Sequence, residues 1–424
     1  MKKLIFISVL FLMFSDVFAE TERTKAILTA DEHTRHHWEC KNINTHASCS
    51  AGYSSYYSAG NYIGVAYKWG GFDTVEQFDQ NLADGYGAGS YSSDGVLWCV
   101  TGVDCSGYVS LAWDQTTKYG TSTIHQISSE INVSDIKRGD AFNKASSHIV
   151  MYVYTAHDGS PVIMEAAGGS FRKAVFRKVT WSYLNDYIPV RYDNIVDDFS
   201  AGTKDNPIII NNFPFTDENN TRIAISKEFH SCSAAPEKME LGPEIIYKFQ
   251  TDVQGDLSIS VTDVQSEGID CDVHLLSSLT VNEEGMAVDC KDRADKEIEE
   301  YIEAGTWYII VDSFTGSSGV DFPGEYTLSV DFTPDEIEEE PDEDEIPDTD
   351  NSDTDDDHKI ENDSDVYEET DYDGENNEFT DADTSGKEKN DTVLTDEDSV
   401  DEYNDFSEQK SSGGSEGCSV IFLF

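Results

Sequence analysis

The chain has 424 residues, 84 of them Asp or Glu and 28 Lys or Arg, for a formal net charge of −56 at neutral pH. A chain this acidic repels phosphate backbones, which excludes nucleic acid as a partner, and its length leaves room for more than one domain with a core of its own. Residues 1–19 carry Lys2 and Lys3, an apolar run over 4–14 and a Val17-Phe18-Ala19 ending, the three zones of a secretory signal peptide. The run is too short to cross a bilayer, which takes about twenty residues. The expected product is exported, to the periplasm, the cell surface or the extracellular space.

After the leader, His33, His36 and His37 with Cys40 and Cys49 are metal-ligand types, but they match no zinc spacing. In an oxidising compartment a small Cys40–Cys49 disulfide loop is the better reading, so no metal or other cofactor is assigned. Tyr53, Tyr56, Tyr57 and Tyr62 give this segment an aromatic character suited to core packing, with contact to wall sugars as the alternative.

The chemistry concentrates around Asp104-Cys105-Ser106-Gly107. Beyond Cys105, Tyr108, Val109, Leu111, Ala112 and Trp113 recur at the spacing of a helix face, which places the cysteine in the first turn of a helix. Free backbone N–H groups and the positive dipole end favour a thiolate there. A nucleophilic thiol needs a base, and the base needs an orienting group. Residues 148–154 read as a strand headed by His148, a turn over 157–160 follows Arg138-Gly139-Asp140 and that strand, and residues 162–167 return with Glu165 as their one ionisable side chain. The bland alternatives are a Cys99–Cys105 disulfide, a satisfied strand histidine and a locally paired glutamate.

Tyr67-Lys68-Trp69-Gly70-Gly71, Asp104-Cys105-Ser106-Gly107, Arg138-Gly139-Asp140 with His148 eight residues on, and Met164-Glu165-Ala166 together resemble the ordered motifs of the NlpC/P60 cysteine peptidases over about residues 60–192. The resemblance implies an α+β papain-like catalytic domain over 20–196 that cuts peptidoglycan stem peptides, typically between D-glutamate and a diamino acid. It implies Cys105 as nucleophile, His148 as base and Glu165 as the third polar residue, with Tyr67, Trp69, Asp104 and Ser106 contacting substrate. Two features set this chain apart from the pattern. Residues 72–103, rich in Gly, Ser, Tyr and Asp, separate motifs that usually lie close together and are expected to form a long polar loop over the cleft. The third position, more often His, Asn or Gln, is here a carboxylate, which holds an imidazolium as the acid of a serine-protease triad does.

Residues 197–204, polar and small, read as a linker. Over 205–333, alternating apolar residues at Ile245, Tyr247, Phe249; Leu257, Ile259, Val261; Trp307, Ile309, Val311; and Tyr326, Leu328, Val330, Phe332 predict an all-β antiparallel sandwich. Asn206-Pro207-Ile208, the stretch from Gly305 to Asp312 and Gly324-Glu325-Tyr326-Thr327-Leu328 resemble the bacterial pre-peptidase C-terminal domain, which implies a jelly-roll-like accessory module. Asp270, Asp272 and Asp289 are calcium-ligand types without a recognisable loop pattern and are not assigned a metal.

Residues 334–410 change character: over 335–410 there are 35 Asp or Glu against 4 Lys, more than half of the chain's net charge. Self-repulsion without apolar periodicity predicts a disordered acidic spacer. The end, 411–424, closes on Gly417-Cys418 and a short apolar run; it resembles the sorting tails of myxobacterial-type surface proteins and suggests surface anchoring. With Cys105 kept as a thiol and Cys418 set aside, three cysteines stand on each side of the linker, so either one thiol per domain stays free or a bridge joins the domains; Cys271–Cys290 is the preferred bridge of the second domain. The expected activity is that of a secreted cysteine hydrolase acting on peptidoglycan or another peptide substrate. The rivals are an amidase or acyltransferase on the same scaffold, and a non-catalytic surface adhesin or wall-binding protein.

Overall fold

The computed structural model describes residues 20–198, 201–263 and 268–336. The signal-peptide reading, most of the acidic spacer and the C-terminal tail lie outside the described residues.

The described chain is mostly β, with three α-helices: α1 (Arg23–Arg35), α2 (Val75–Ala83) and α3 (Cys105–Ala112). In the first half, six antiparallel strands form one sheet: β1 (Ser128–Glu130), β2 (Ala141–Lys144), β3 (His148–Thr155), β4 (Pro161–Ala167), β5 (Lys173–Lys178) and β6 (Ile188–Tyr192), in the order β5-β4-β3-β2-β6-β1. Helices α1 and α3 pack on β3, β4 and β5. Ile27, Val109, Trp113, Ile149, Met151 and Met164 are buried at the centre of that contact.

The metal-like group does not gather: His33 is buried in α1 with its ring between the Thr29 and Asp73 carbonyls, and His36 pairs with Asp79. Nor is 72–103 a free polar loop. Thr74 caps α2, accepting from Gln77 N at 3.2 Å while Gln77 accepts from Thr74 N at 3.0 Å, a reciprocal capping box. Val75, Phe78 and Leu82, three and four apart, put one face of α2 into the core. The far end of the segment is tied by a disulfide between Cys49 and Cys99, which replaces the expected Cys40–Cys49 loop and leaves Cys40 buried and free. Removing this bridge (Cys49→Ala with Cys99→Ala) releases a closed loop of sequence separation 50. Equilibrium unfolding in denaturant is expected to show a loss of roughly 2–4 kcal/mol.

The second half is a β-sandwich. One sheet orders β7 (Ile208–Ile209), β9 (Ile245–Thr251), β14 (Gly305–Ser313), β11 (Cys271–Leu276) and β12 (Cys290–Ala294) as β7-β9-β14-β11-β12. The other orders β8 (Phe215–Asn220), β10 (Gly255–Asp263), β13 (Glu297–Ile302) and β15 (Glu325–Pro334) as β8-β15-β10-β13. Pairing is antiparallel except between β7 and β9 at one edge. The alternating residues face one another across the core, Tyr247, Leu257, Ile259, Ile309, Val311, Leu328 and Val330 among them. Here Cys290 bridges Cys232 rather than Cys271, which stays buried and free. The three aspartates weighed for calcium stand apart: Asp272 on Arg293, Asp270 near Lys296 and Asp289 on Ser278.

The halves are joined by more than a linker. Asp197 and Asp198 are held by Arg23 (2.5 Å) and Arg138 (3.0 Å). Arg222, just beyond β8, pairs with Asp31 of α1, donates to Pro323 O at 2.8 Å and lies 4.3 Å from the Phe176 ring of β5.

Candidate functional site

The site begins with a helix cap. Asp104 precedes α3 and accepts from Gly107 N at 2.8 Å and from the Ser106 hydroxyl at 3.0 Å, which fixes the first turn with Cys105 as its first residue. Gly70 N donates to the other carboxylate oxygen of Asp104 at 2.9 Å, and Lys118 pairs with it. The two distant motifs are laced together by backbone bonds, Val103 N to Ala66 O and Lys68 N to Val103 O, each 3.0 Å. Glycine permits this approach: a Cβ on Gly107 would stand 2.1 Å from Gly71 O, and one on Gly71 would stand 2.3 Å from Gly102 O. Both obstacles are backbone, so neither yields as a side chain would. Gly107→Ala is expected to cost about 1–3 kcal/mol and to slow alkylation of Cys105, measured by denaturant unfolding and by the rate of iodoacetamide labelling.

Strand alternation supplies the next groups. Met151 pairs with Met164 across β3 and β4, and Glu165 pairs with Val175 across β4 and β5. Period two therefore puts His148, Glu165 and Arg177 on one face of three adjacent strands, diagonal to one another. The His148 ring contacts Glu165 through Nε2 and lies against Cys105. Arg177 donates from Nε to the other Glu165 oxygen at 2.6 Å, with its guanidinium 4.7 Å from the Tyr183 ring and 5.2 Å from that of Phe171. Glu165 is 1% exposed and His148 21%.

Burial would pull the imidazolium of His148 down, but its contacts with Cys105 and Glu165 outweigh this and hold its pKa at about 10. Burial likewise pushes the Glu165 carboxyl up, and His148 and Arg177 more than offset that, leaving it below the ordinary value. Tyr67 is pushed up, by burial first and then by Cys105 and Asp104, so its phenol keeps its proton beside the sulfur.

Cys105, His148 and Glu165 are thus contiguous, and Cys105 is a free thiol because Cys99 is taken by Cys49. Of the four expected substrate contacts, Tyr67 lies near the sulfur and Trp69 is 40% exposed. Ser106 and one Asp104 oxygen are used in the helix cap, and the other Asp104 oxygen binds Gly70 N and Lys118. Sequence reasoning passed over Arg177, Lys118 and Tyr187, whose ring meets His148 edge-on with centroids 6.4 Å apart. Arg177 follows from period two once the β4–β5 register is known. Lys118 and Tyr187 lie in irregular segments with no periodicity to place them. A cavity of about 220 Å³ lined by His33, Thr74, Val75, Leu111 and Gln115 lies apart from the sulfur.

No family model and no curated protein matches the chain. Among solved structures it is similar to the pre-peptidase C-terminal domain of a collagenase from Bacillus anthracis, at 16% identity over 32% of this chain and 98% of that one, with a TM-score of 0.19. It is also similar to PliG, a periplasmic inhibitor of g-type lysozyme from Aeromonas hydrophila, at 7% identity over 30% of this chain and 96% of that one, with a TM-score of 0.20. At those TM-scores neither likeness defines the fold.

Proposed function

We propose that the chain is an exported cysteine hydrolase of papain-like, NlpC/P60-like design that cleaves amide bonds in peptides, with cell-wall stem peptides as the substrate class. The observation that carries this reading is a free cysteine at the first position of a capped helix, against a histidine held on its other side by a buried carboxylate. The thiolate of Cys105 attacks the carbonyl carbon, and the backbone N–H of Cys105 at the helix start stabilises the developing oxyanion. The His148 imidazolium then protonates the departing amine, leaving a thioester. Neutral His148 next takes a proton from water, whose oxygen attacks the thioester and expels the thiolate, restoring the thiolate–imidazolium pair. Glu165, locked by Arg177, keeps the ring oriented and its charge compensated through both steps. Two disulfides agree with an oxidising compartment.

The test is to incubate the full chain with defined muropeptides and identify the products by mass spectrometry, alongside mapping of the thiol trapped by an electrophile. Scission within the stem with label on Cys105 supports the reading. Scission of the amide that joins the lactyl group to the stem peptide would turn it into an amidase, and no scission with an unlabelled Cys105 would refute it.

A further inference from the structure

The sandwich holds a second group of reactive side chains, independent of the catalytic reading. Along β11, Val273 and Leu275 enter the sandwich core, so Asp272, His274 and Leu276 face the opposite side of their sheet. The segment after β8 crosses that outer face, burying Phe229 against Ile246, Leu276 and Ile310, and it brings Cys232 and Glu240 over His274. His274 is fully buried, and neither ring nitrogen has a hydrogen-bond partner. Its Nε2 lies 3.2 Å from Glu240 Oε2 in an ion-pair contact, and that oxygen has no other partner. Glu240 is itself fully buried and fixed from its far side, where Arg293 Nε donates to Oε1 at 2.8 Å.

The sulfurs of Cys232 and Cys290 and a ring nitrogen of His274 all lie within 4.8 Å of one another. Among the described residues no other set of three or more Cys, His, Asp or Glu converges in this way. Buried imidazole nitrogens and carboxylate oxygens are ordinarily satisfied; here an unsatisfied imidazole lies beside the two sulfurs, and an unsatisfied carboxylate oxygen lies beside that imidazole.

We propose that Cys232, Cys290, His274 and Glu240 form a closed zinc site that exists in place of the Cys232–Cys290 disulfide. Two thiolates, one imidazole and one carboxylate oxygen make the four-ligand tetrahedral set that zinc prefers, and they are too soft a set for calcium or magnesium. Arg293 beside Glu240 offsets the negative charge left over when a divalent ion meets three anionic ligands. The switch balances as two steps. A dithiol gives two electrons and two protons to the disulfide and is itself oxidised to a disulfide. Zinc then binds the two sulfurs, releasing both thiol protons. Oxidation reverses the sequence and expels the metal, so the site is occupied only in the reduced protein.

The test uses the full chain, reduced with dithiothreitol, freed of it anaerobically and titrated with cobalt(II). One equivalent is expected to raise the thiolate-to-cobalt charge-transfer band and the intense visible bands of tetrahedral cobalt, and zinc is expected to abolish both. The oxidised chain is expected to show neither. His274→Leu and Glu240→Gln should each weaken cobalt binding at least tenfold, and Cys232→Ser with Cys290→Ser should remove the charge-transfer band. A reduced chain with unchanged far-ultraviolet circular dichroism and no band overturns the proposal, as does a band that persists in the double serine variant. A reduced chain that unfolds and is not refolded by cobalt or zinc overturns it as well.

Discussion

Cys105→Ala and His148→Asn are each expected to lower kcat on a cleavable peptide by roughly 10⁴-fold or more, and the double variant is expected to lose no more than either single one. The sulfur supplies the bond that forms and the ring supplies the proton that moves, so removing one leaves the other without a task. The readout is turnover of a defined muropeptide, with circular dichroism to show that the fold survives. Equal activity in the wild type and the Cys105→Ala variant would end the hydrolase reading.

The pH profile adds a second readout. Burial opposes charge on His148, yet the Cys105 and Glu165 contacts raise its pKa to about 10, so the imidazolium persists through neutrality. A group raised on folding contributes stability in full below its unfolded value near 6.5, and loses it as pH rises through the folded value near 10. Activity that depends on the imidazolium should therefore fall on the alkaline side near pH 10. Glu165→Gln keeps the shape but removes the charge, and should move that limb to lower pH while lowering kcat. A purely structural role for Glu165 would leave the limb where it was.

The parts of this molecule carried by short-range pattern were legible in its sequence. Period-two alternation marked β9, β10, β14 and β15, because their apolar residues meet across a core. The same rule misses β8, Phe-Thr-Asp-Glu-Asn-Asn, because its inward residues after Phe215 are Asp217 and Asn219. Helix α1 hides for a related reason: its buried face includes Asp31, His33 and Thr34, and burial of Asp31 makes sense only with Arg222, 191 residues away. Helix α2 was visible in Val75, Phe78 and Leu82 but is embedded in polar surroundings that suggested a loop. Cysteine partners depend on which loops the fold brings together, so both expected bridges chose the wrong neighbour. At the site, Cys105, His148 and Glu165 could be named from residue type and order. Arg177 could not, since it needs a strand register that no local signal supplies.

Arg222→Met is expected to destabilise the chain by about 3–5 kcal/mol, because it strips one of two guanidinium partners from a carboxylate with no access to water. Asp31 is 0% exposed and Arg222 5%, and Asn220 and Arg35 also bond Asp31, at 2.9 and 2.7 Å. Burial pushes the Asp31 carboxyl up, but Arg222 and Arg35 outweigh it and hold it below the ordinary 3.8. The sign follows from linkage: this stability is present above the unfolded value and is lost as pH falls through the lower folded one. The gap between wild type and Arg222→Met, measured by denaturant unfolding, should accordingly be full at pH 7 and shrink below about pH 3.8. Adding Asp31→Asn should recover part of the loss, since it removes the stranded charge. The damage should reach the site as well. Arg222 lies over Phe176, whose chain neighbour Arg177 fixes Glu165, so the variant should also slow turnover at temperatures where it remains folded. A loss below about 1 kcal/mol, the range of an exposed pair, would mean that the sandwich merely adjoins the first domain and that Asp31 finds water once the guanidinium is gone.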